Sequence, residues 1–372
     1  MRADRPAEAP PRRHGLAVWR RYMELPRYMR AVRGKEELIG ALDELAAGLD
    51  FDRLAVVSGT TFTAPLARDL SAALSRSVGE PVGVETNAES EVARIAAAPA
   101  LREADAVVAV GGGKTIDVAK SACALAELPL IVVPTQLTAD GIASPVSVIR
   151  DSAGRLRSGS GRLPIAIAVD LAVVAAAPAA RTRAGLGDLL ANPCALRDWE
   201  LAAAAGGQEL DDFAALLSRS AFDLVFTPPP PELATGSPPE EFLHRLLRGL
   251  VLSGLAMEIA GSSRPCSGSE HLISHALDSL HPGTAQHGEQ VAFGALLATR
   301  LQGGDWRGLR DFMRAAGLDD AASGFGLSAA DVVAVVRAAP SMRPDRYTVL
   351  SEADVMEDAG AAVAEVLSPD AA

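Results

Sequence analysis

The sequence predicts an N-terminal α/β domain built on a parallel sheet, followed by an all-helical C-terminal domain, joined near residue 180. Three observations carry this. Residues 54–57, 106–110 and 130–133 read LAVV, AVVAV and LIVV, each closed by small, polar or Pro residues and followed by further chain of helical or loop character. These runs are continuous rather than alternating, which is what strands covered on both faces of a parallel sheet require. From about Pro178 onward, helical patterns continue without a convincing strand.

The elements follow in order. Glu37, Leu38, Ile39, Leu42 and Leu45 carry helical spacing over 37–48. The strand at Leu54 to Val57 ends in Ser58-Gly59-Thr60-Thr61 and leads into a helix through Leu70. Residues 81–84 form a weaker strand, and 90–101 a helix. The clearest strand, 106–110, stops at Gly111-Gly112-Gly113, and a helix runs from Thr115 to about Leu128. Leu130 to Val133 is ended by Pro134-Thr135. Residues 146–149 and 165–169 are candidate further strands, with a polar hairpin from Asp151 to Arg162 between them. Beyond 180, Gly185-Leu186-Gly187-Asp188 opens a helix, 209–223 forms another, and 240–260 a long apolar one. The Pro-rich stretches from Thr227 and from Ser237 read as a rigid connector. The expected division is a flexible tail at 1–20, a nucleotide-binding α/β domain at 21–180 and a helical domain at 181–372.

Composition removes several classes of function. Net charge is -12, from 35 basic and 47 acidic residues, so no concentrated basic face is offered to nucleic acid or a membrane surface. Three cysteines without CxxC spacing fit a reducing cytoplasm rather than a disulfide framework. No run of about twenty apolar residues reads as a membrane span. The first residues, rich in Pro and Arg, lack the apolar core of a signal peptide.

Chemistry concentrates in four places. Of six histidines, His271, His275, His281 and His287 fall in one short window. His271 and His275 are four apart and share one face of a helix, a spacing that suits metal ligation but also occurs as a plain polar face. A metal site there needs His287 brought back and a carboxylate from elsewhere. Second, Gly111-Gly112-Gly113-Lys114-Thr115-Ile116-Asp117 joins a strand to a helix start, where free N–H groups and the helix dipole favour a phosphate; the same run can be a simple turn. It is neither a Walker loop nor GxGxxG. Third, Pro134 to Pro145 is a polar loop at the same sheet edge, able to touch the same ligand or merely to cap backbone groups. Fourth, Arg264 precedes the histidine helix, where it could hold a phosphate or carboxylate or lie on the surface; Ser269 is placed to cap that helix.

Together, GGGKTIDVAK (Gly111 to Lys120), PTQLTADGIASP (Pro134 to Pro145), GLGDLLAN (Gly185 to Asn192), SRPCSGSEHLISH (Ser263 to His275) and HGEQVAFG (His287 to Gly294) resemble the glycerol-1-phosphate dehydrogenase family. That family is grouped with iron-dependent alcohol dehydrogenases, glycerol dehydrogenase and dehydroquinate synthase. The resemblance covers roughly residues 25 to 300 and implies a Rossmann-like α/β domain plus a helical domain of the dehydroquinate-synthase type. It implies that Asp188, His271 and His287 ligate one divalent metal, usually Zn²⁺, with Ni²⁺ or Fe²⁺ as alternatives. It implies that Gly111, Gly112, Gly113, Lys114, Thr115, Ile116 and Asp117 bind the diphosphate of NAD or NADP. Thr135, Gln136, Leu137, Thr138 and Ser144 are implied nearer the nicotinamide. Asp140, His275 and Asp188 match positions that touch the substrate, Asp140 or His275 being candidates to relay a proton, and Arg264 is the candidate for the substrate phosphate. The implied reaction is hydride transfer between glycerone phosphate and sn-glycerol 1-phosphate, the ion acting as a Lewis acid. Another polyol, phosphorylated or phosphonate substrate, or a dehydroquinate-synthase-like cyclisation, are the alternatives; the loop Thr138 to Pro145 lacks the lysine-bearing pattern of the cyclase branch. A homodimer or larger homo-oligomer is implied, with no nucleic-acid partner and no membrane insertion.

Two features depart from the family pattern. Pro193 follows closely on Asp188, where a plain helix is expected, and Pro is tolerated only in a first turn or at a kink. Gly59 stands at the strand end where NAD-specific relatives carry an acidic residue, so a 2′-phosphate is not repelled and NADP should be accepted as well as NAD.

Overall fold

The computed structural model describes residues 26–236, 238–318 and 322–368. The expected tail at 1–20 lies outside these residues. The α/β half runs β1 (Tyr28–Val32), α1 (Lys35–Gly48), β2 (Leu54–Gly59), α2 (Ala64–Ala73), β3 (Val82–Val84), α3 (Glu89–Ala96), α4 (Pro99–Glu103), β4 (Ala106–Gly111), α5 (Gly113–Ala126), β5 (Leu130–Pro134), β6 (Val146–Arg150), β7 (Leu156–Ser160) and β8 (Ala166–Asp170). Six strands form one parallel sheet in the order β1-β8-β5-β4-β2-β3. Alternate residues of one strand feed two cores. Ala106, Val108 and Val110 of β4 pack with Leu38 and Leu42 of α1 and Leu70 of α2. Val107 and Ala109 join Ile116 and Val118 of α5 and the helices beyond. Because both faces are covered, neither set of positions is polar, and the strand reads as an unbroken apolar run.

One strand of this half was not foreseen, and two expectations need correction. β1 carries no apolar run: it is an edge strand paired only with β8, and its residues are largely exposed. The helix expected over 90–101 is two helices, because Pro99 cannot continue α3 and instead starts α4. The polar hairpin at 151–162 contains a strand: β7 pairs antiparallel with β6 in a separate ribbon, exposed along its length, so no apolar signal marks it.

The helical half comprises α6 (Leu171–Ala175), α7 (Ala179–Leu190), α8 (Asn192–Ala204), α9 (Asp212–Val225), α10 (Pro231–Thr235), α11 (Glu240–Ala260), α12 (Ser269–Leu280), α13 (His287–Leu301), α14 (Trp306–Ala316), α15 (Ala329–Ala338) and α16 (Ala353–Leu367). α7 starts at Ala179 rather than at Gly185, which lies inside it. Pro193 produces no kink: α7 ends at Leu190, α8 begins at Asn192, and the proline sits in the first turn of α8, where its missing N–H would have no intrahelical acceptor. The Pro-rich connector holds the short helix α10, begun by Pro231. Among the described residues no helix is long and apolar enough to cross a membrane.

Candidate active site in the cleft between the two halves

Close helix crossings assemble the site. Asp188 lies on α7, His271 on α12, and His287 is the first residue of α13. α7 and α13 meet glycine to glycine: a Cβ on Gly187 would stand 2.2 Å from the Gly288 carbonyl, and one on Gly288 only 1.8 Å from the Ala184 carbonyl. Only bare backbone permits this approach, and it carries Asp188 and His287 with it. His287 Nε2 lies 3.8 Å from Asp188 Oδ1, and His271 Nε2 lies 3.6 Å from the same oxygen. One donor atom from each of the three residues falls within 4.8 Å of the others.

The surroundings aim these donors. His271 Nδ1 is hydrogen-bonded to Glu270 Oε1 at 2.8 Å, which leaves Nε2 toward Asp188. Glu270 is fully buried, and is itself fixed by the Gly268 N–H at 2.5 Å and the Cys194 thiol at 3.0 Å. His287 Nδ1 is 3.4 Å from Ser274 Oγ, which donates to Gln290 at 3.0 Å. Burial pulls His271 down, but its bonds to Asp188 and Glu270 outweigh this and carry it up to about 9. Burial raises Asp188, yet the hydrogen bond to His271 and the charge of His287 bring it below the ordinary carboxylate range. A buried cluster of this kind asks for positive charge at its centre. Donor separations near 3.6 Å also suit a tetrahedral ion with bonds of about 2.1 Å, and the carboxylate-imidazole pairing is the usual support for such a ligand. The residues present therefore fit a divalent metal.

Of the positions expected to contact substrate, Asp140 and His275 adjoin this cluster. The Asp140 N–H donates to Asp188 Oδ2 at 2.9 Å, and Asp140 Oδ2 accepts the Ser253 hydroxyl at 2.8 Å. Burial, and then the charge of Asp188, push Asp140 up to about 7. The His275 ring is 6.4 Å from that of His271. Burial, then the positive fields of His271, His287, Arg343 and Arg346, hold His275 down at about 3. Arg264 is half-buried and donates to the Tyr347 carbonyl at 2.9 Å.

The positions expected to hold the dinucleotide follow the carboxyl ends of β4 and β5. α5 starts at Gly113 with Gly112 as its N-cap and no side-chain cap, so its first N–H groups keep their bonding capacity for a ligand. Gly113 and Lys114 are exposed, and nothing lies within 4 Å of a Cβ built on Gly113. Gln136 packs so closely on Gly112 that a Cβ there would stand 1.9 Å from its amide nitrogen. Lys114 Nζ donates to the Glu85 carbonyl at 3.0 Å. Thr115, Ile116, Leu137 and Ser144 are buried, while Thr135, Thr138 and Asp117 are half-buried. Asp117 lies 3.9 Å from Lys120, toward β6 rather than the helix start. Ser269 does not cap α12: it is the first helical residue, and its N–H is taken by Asp198 Oδ2 at 2.6 Å.

Glu270 is a favourable carboxylate in the first turn of α12, as its place in the chain leads one to expect, and it also orients His271. Several other residues at the site were not singled out in the sequence reading. Ser253, Asp198, Arg343 and Arg346 come from distant segments and carry no local mark. Lys120 interrupts the apolar face of α5 and is completely buried. Its Nζ donates to the Gly141 carbonyl at 2.8 Å, to Ser144 Oγ at 3.4 Å and to the Val146 carbonyl, so one ammonium ties down the whole loop that carries Asp140. Lys120→Met should cost roughly 3–5 kcal/mol of stability, since it takes the cation away from the Gly141 carbonyl and from Asp117, which is left with its backbone bond to Val148. Denaturant unfolding of the two proteins measures this; a difference under about 1 kcal/mol would contradict the role assigned to Lys120.

Fold and site together define the class: an NAD(P)-linked, metal-dependent oxidoreductase. Residues 33–178 match the family model described as iron-containing alcohol dehydrogenase. The chain is 37% identical over 282 residues (76% of this chain, 78% of the relative) to a glycerol-1-phosphate dehydrogenase [NAD(P)+] of Cenarchaeum symbiosum. It is 42% identical over 264 residues (70% and 73%) to one of Hyperthermus butylicus. The chain belongs to the glycerol-1-phosphate dehydrogenase family. In fold it is similar to the crystal structure of a probable glycerol dehydrogenase from Sinorhizobium meliloti, with TM-score 0.73 and 24% identity over 92% of this chain and 97% of that one.

Proposed function

We propose that the protein interconverts glycerone phosphate and sn-glycerol 1-phosphate by hydride transfer with NAD or NADP, using one divalent ion, by preference Zn²⁺, held by Asp188, His271 and His287. The observation that carries this reading is the convergence of those donors within 4.8 Å of one another, in a chain whose α5 begins without a side-chain cap. The names of the relatives support the substrate. When bound, the ion supplies Lewis acidity toward a carbonyl oxygen.

The chain's own residues do the rest. The first turn of α5 would hold the diphosphate, and Gln136 against Gly112 shapes the wall on which the cofactor lies. Lys120 fixes the loop that carries Asp140 through the Gly141 and Val146 carbonyls. Hydride addition at carbon must be matched by a proton at oxygen; we assign that exchange to Asp140, which burial and Asp188 raise to about 7, rather than to His275, which is held at about 3. The Ser253 hydroxyl fixes Asp140 Oδ2, which leaves Oδ1 for that exchange. Three free, buried cysteines are consistent with a cytoplasmic setting, and we infer at least a homodimer from the family.

The test is oxidation of NADH and of NADPH by glycerone phosphate and by dihydroxyacetone, with the protein loaded with Zn²⁺, Ni²⁺ or Fe²⁺. Turnover of glycerone phosphate with both cofactors, giving sn-glycerol 1-phosphate, is expected. Turnover of dihydroxyacetone without its phosphate would move the assignment to another polyol. Failure with NADPH alone would remove the argument from Gly59.

A further inference from the structure

Three guanidinium groups gather near the histidine helix: the charges of Arg343 and Arg346 bear on His275, and that of Arg264 bears on Arg346. Arg264 lies in the turn before α12, and Arg343 and Arg346 follow the 3-10 turn Ala339–Met342, which packs against α12. The two segments are laced together. Arg346 donates to Ser263 Oγ at 2.9 Å and to the Ser267 carbonyl. Arg343 reaches the same Ser263 hydroxyl at 3.5 Å, and Arg264 donates to the Tyr347 carbonyl at 2.9 Å. All three arginines are half-buried.

Every one of these acceptors is neutral. Among the described residues none of the three arginines is ion-paired with a carboxylate. The acidic groups that bear on them are otherwise engaged or open to water: Asp198 is committed to the Ser269 and Val349 N–H groups, Glu270 to Gly268 and His271, and Asp345 is exposed. Burial, then the charges of Arg343 and Arg264, push Arg346 down to about 10. Holding like charges together, partly out of water, is costly unless an anion joins them. Each guanidinium also keeps N–H groups beyond those spent on the lacing, in the planar fork that suits phosphate oxygens.

The geometry points to Arg343, Arg346 and Arg264 as a clamp for the phosphate of a phosphomonoester substrate whose carbonyl end lies at Asp188, His271 and His287. This rests on the proposed function and names what grips the other end of the same molecule. One helical turn of α12 separates His271, at the metal, from His275, on which the charges of Arg343 and Arg346 bear, a span on the scale of a three-carbon chain. The clamp sets specificity for the phosphorylated carbonyl over its free counterpart.

The experiment compares metal-loaded wild type with Arg343→Gln and Arg346→Gln on glycerone phosphate and on dihydroxyacetone. Each variant should lose about 100-fold in kcat/KM for glycerone phosphate, mainly through KM, with a loss on dihydroxyacetone about tenfold smaller or less. Arg346→Lys should recover part of the loss, since it keeps the charge without the fork. Inorganic phosphate should inhibit dihydroxyacetone reduction by the wild type and act more weakly on both glutamine variants. Equal losses on the two carbonyls, or undiminished inhibition by phosphate, would overturn the clamp. Wild type that reduces dihydroxyacetone but not glycerone phosphate would overturn the proposed function instead, and the phosphate-inhibition arm would then decide the clamp alone.

Discussion

Asp188→Asn should lower kcat/KM by about 10⁴-fold or more and leave the purified protein without a stoichiometric divalent ion. The substitution isolates charge from shape. Asparagine keeps an oxygen that can accept the Asp140 N–H now bound at 2.9 Å, so the loop at Asp140 retains its anchor. What disappears is the anion that the imidazoles of His271 and His287 face at 3.6 and 3.8 Å. Two neutral imidazoles and an amide are a poor set for Zn²⁺, whose affinity depends on deprotonated ligands. Metal analysis after dialysis, together with initial rates on re-addition of Zn²⁺, measures both effects. A variant that keeps a full equivalent of metal and more than about a tenth of the rate would remove Asp188 from the site.

A single methyl group, far less chemical in character, should be nearly as damaging. Gly288→Ala places a Cβ 1.8 Å from the Ala184 carbonyl, and that obstacle is backbone inside α7, which cannot swing aside. Restoring an ordinary contact requires the two helices to part by about 1.5 Å. His287 heads one of these helices and Asp188 lies in the other, so the separation opens the donor set directly. A misplacement of about 1 Å at a reacting centre costs on the order of 100-fold in rate, and a loss of that size is expected here with weaker metal retention. Circular dichroism should remain helical, since the methyl disturbs one crossing and no secondary-structure propensity is worsened. Unchanged kinetics would mean that the α7–α13 contact does not set the spacing of the ligands.

The α/β half was legible because its strands are buried on both faces. Ala106 to Val110 and Leu130 to Val133 announce themselves through unbroken apolar runs, and the glycines and Pro134 mark where each stops. β1 and β7 escaped notice for the converse reason: exposed edge and ribbon strands select no apolar residues, so the chain carries no record of them. Pro193 looks disruptive beside Asp188 only if α7 is taken to run on through it; α7 ends at Leu190, and the proline instead sits in the first turn of α8, where it is tolerated.

The chain by itself determined the sheet half, the run of helices after it, and which residue types could make a metal and phosphate site, since periodicity, glycine runs and clustered histidines are local properties. Only the tertiary structure decided how that site is supported. Cys194 fixing Glu270 behind His271, Lys120 holding the Asp140 loop, and Arg343 and Arg346 bringing their charge to bear on His275 are relations that folding makes across the chain. Their energetic sense exists only where burial removes water and leaves each charge dependent on a partner brought from elsewhere.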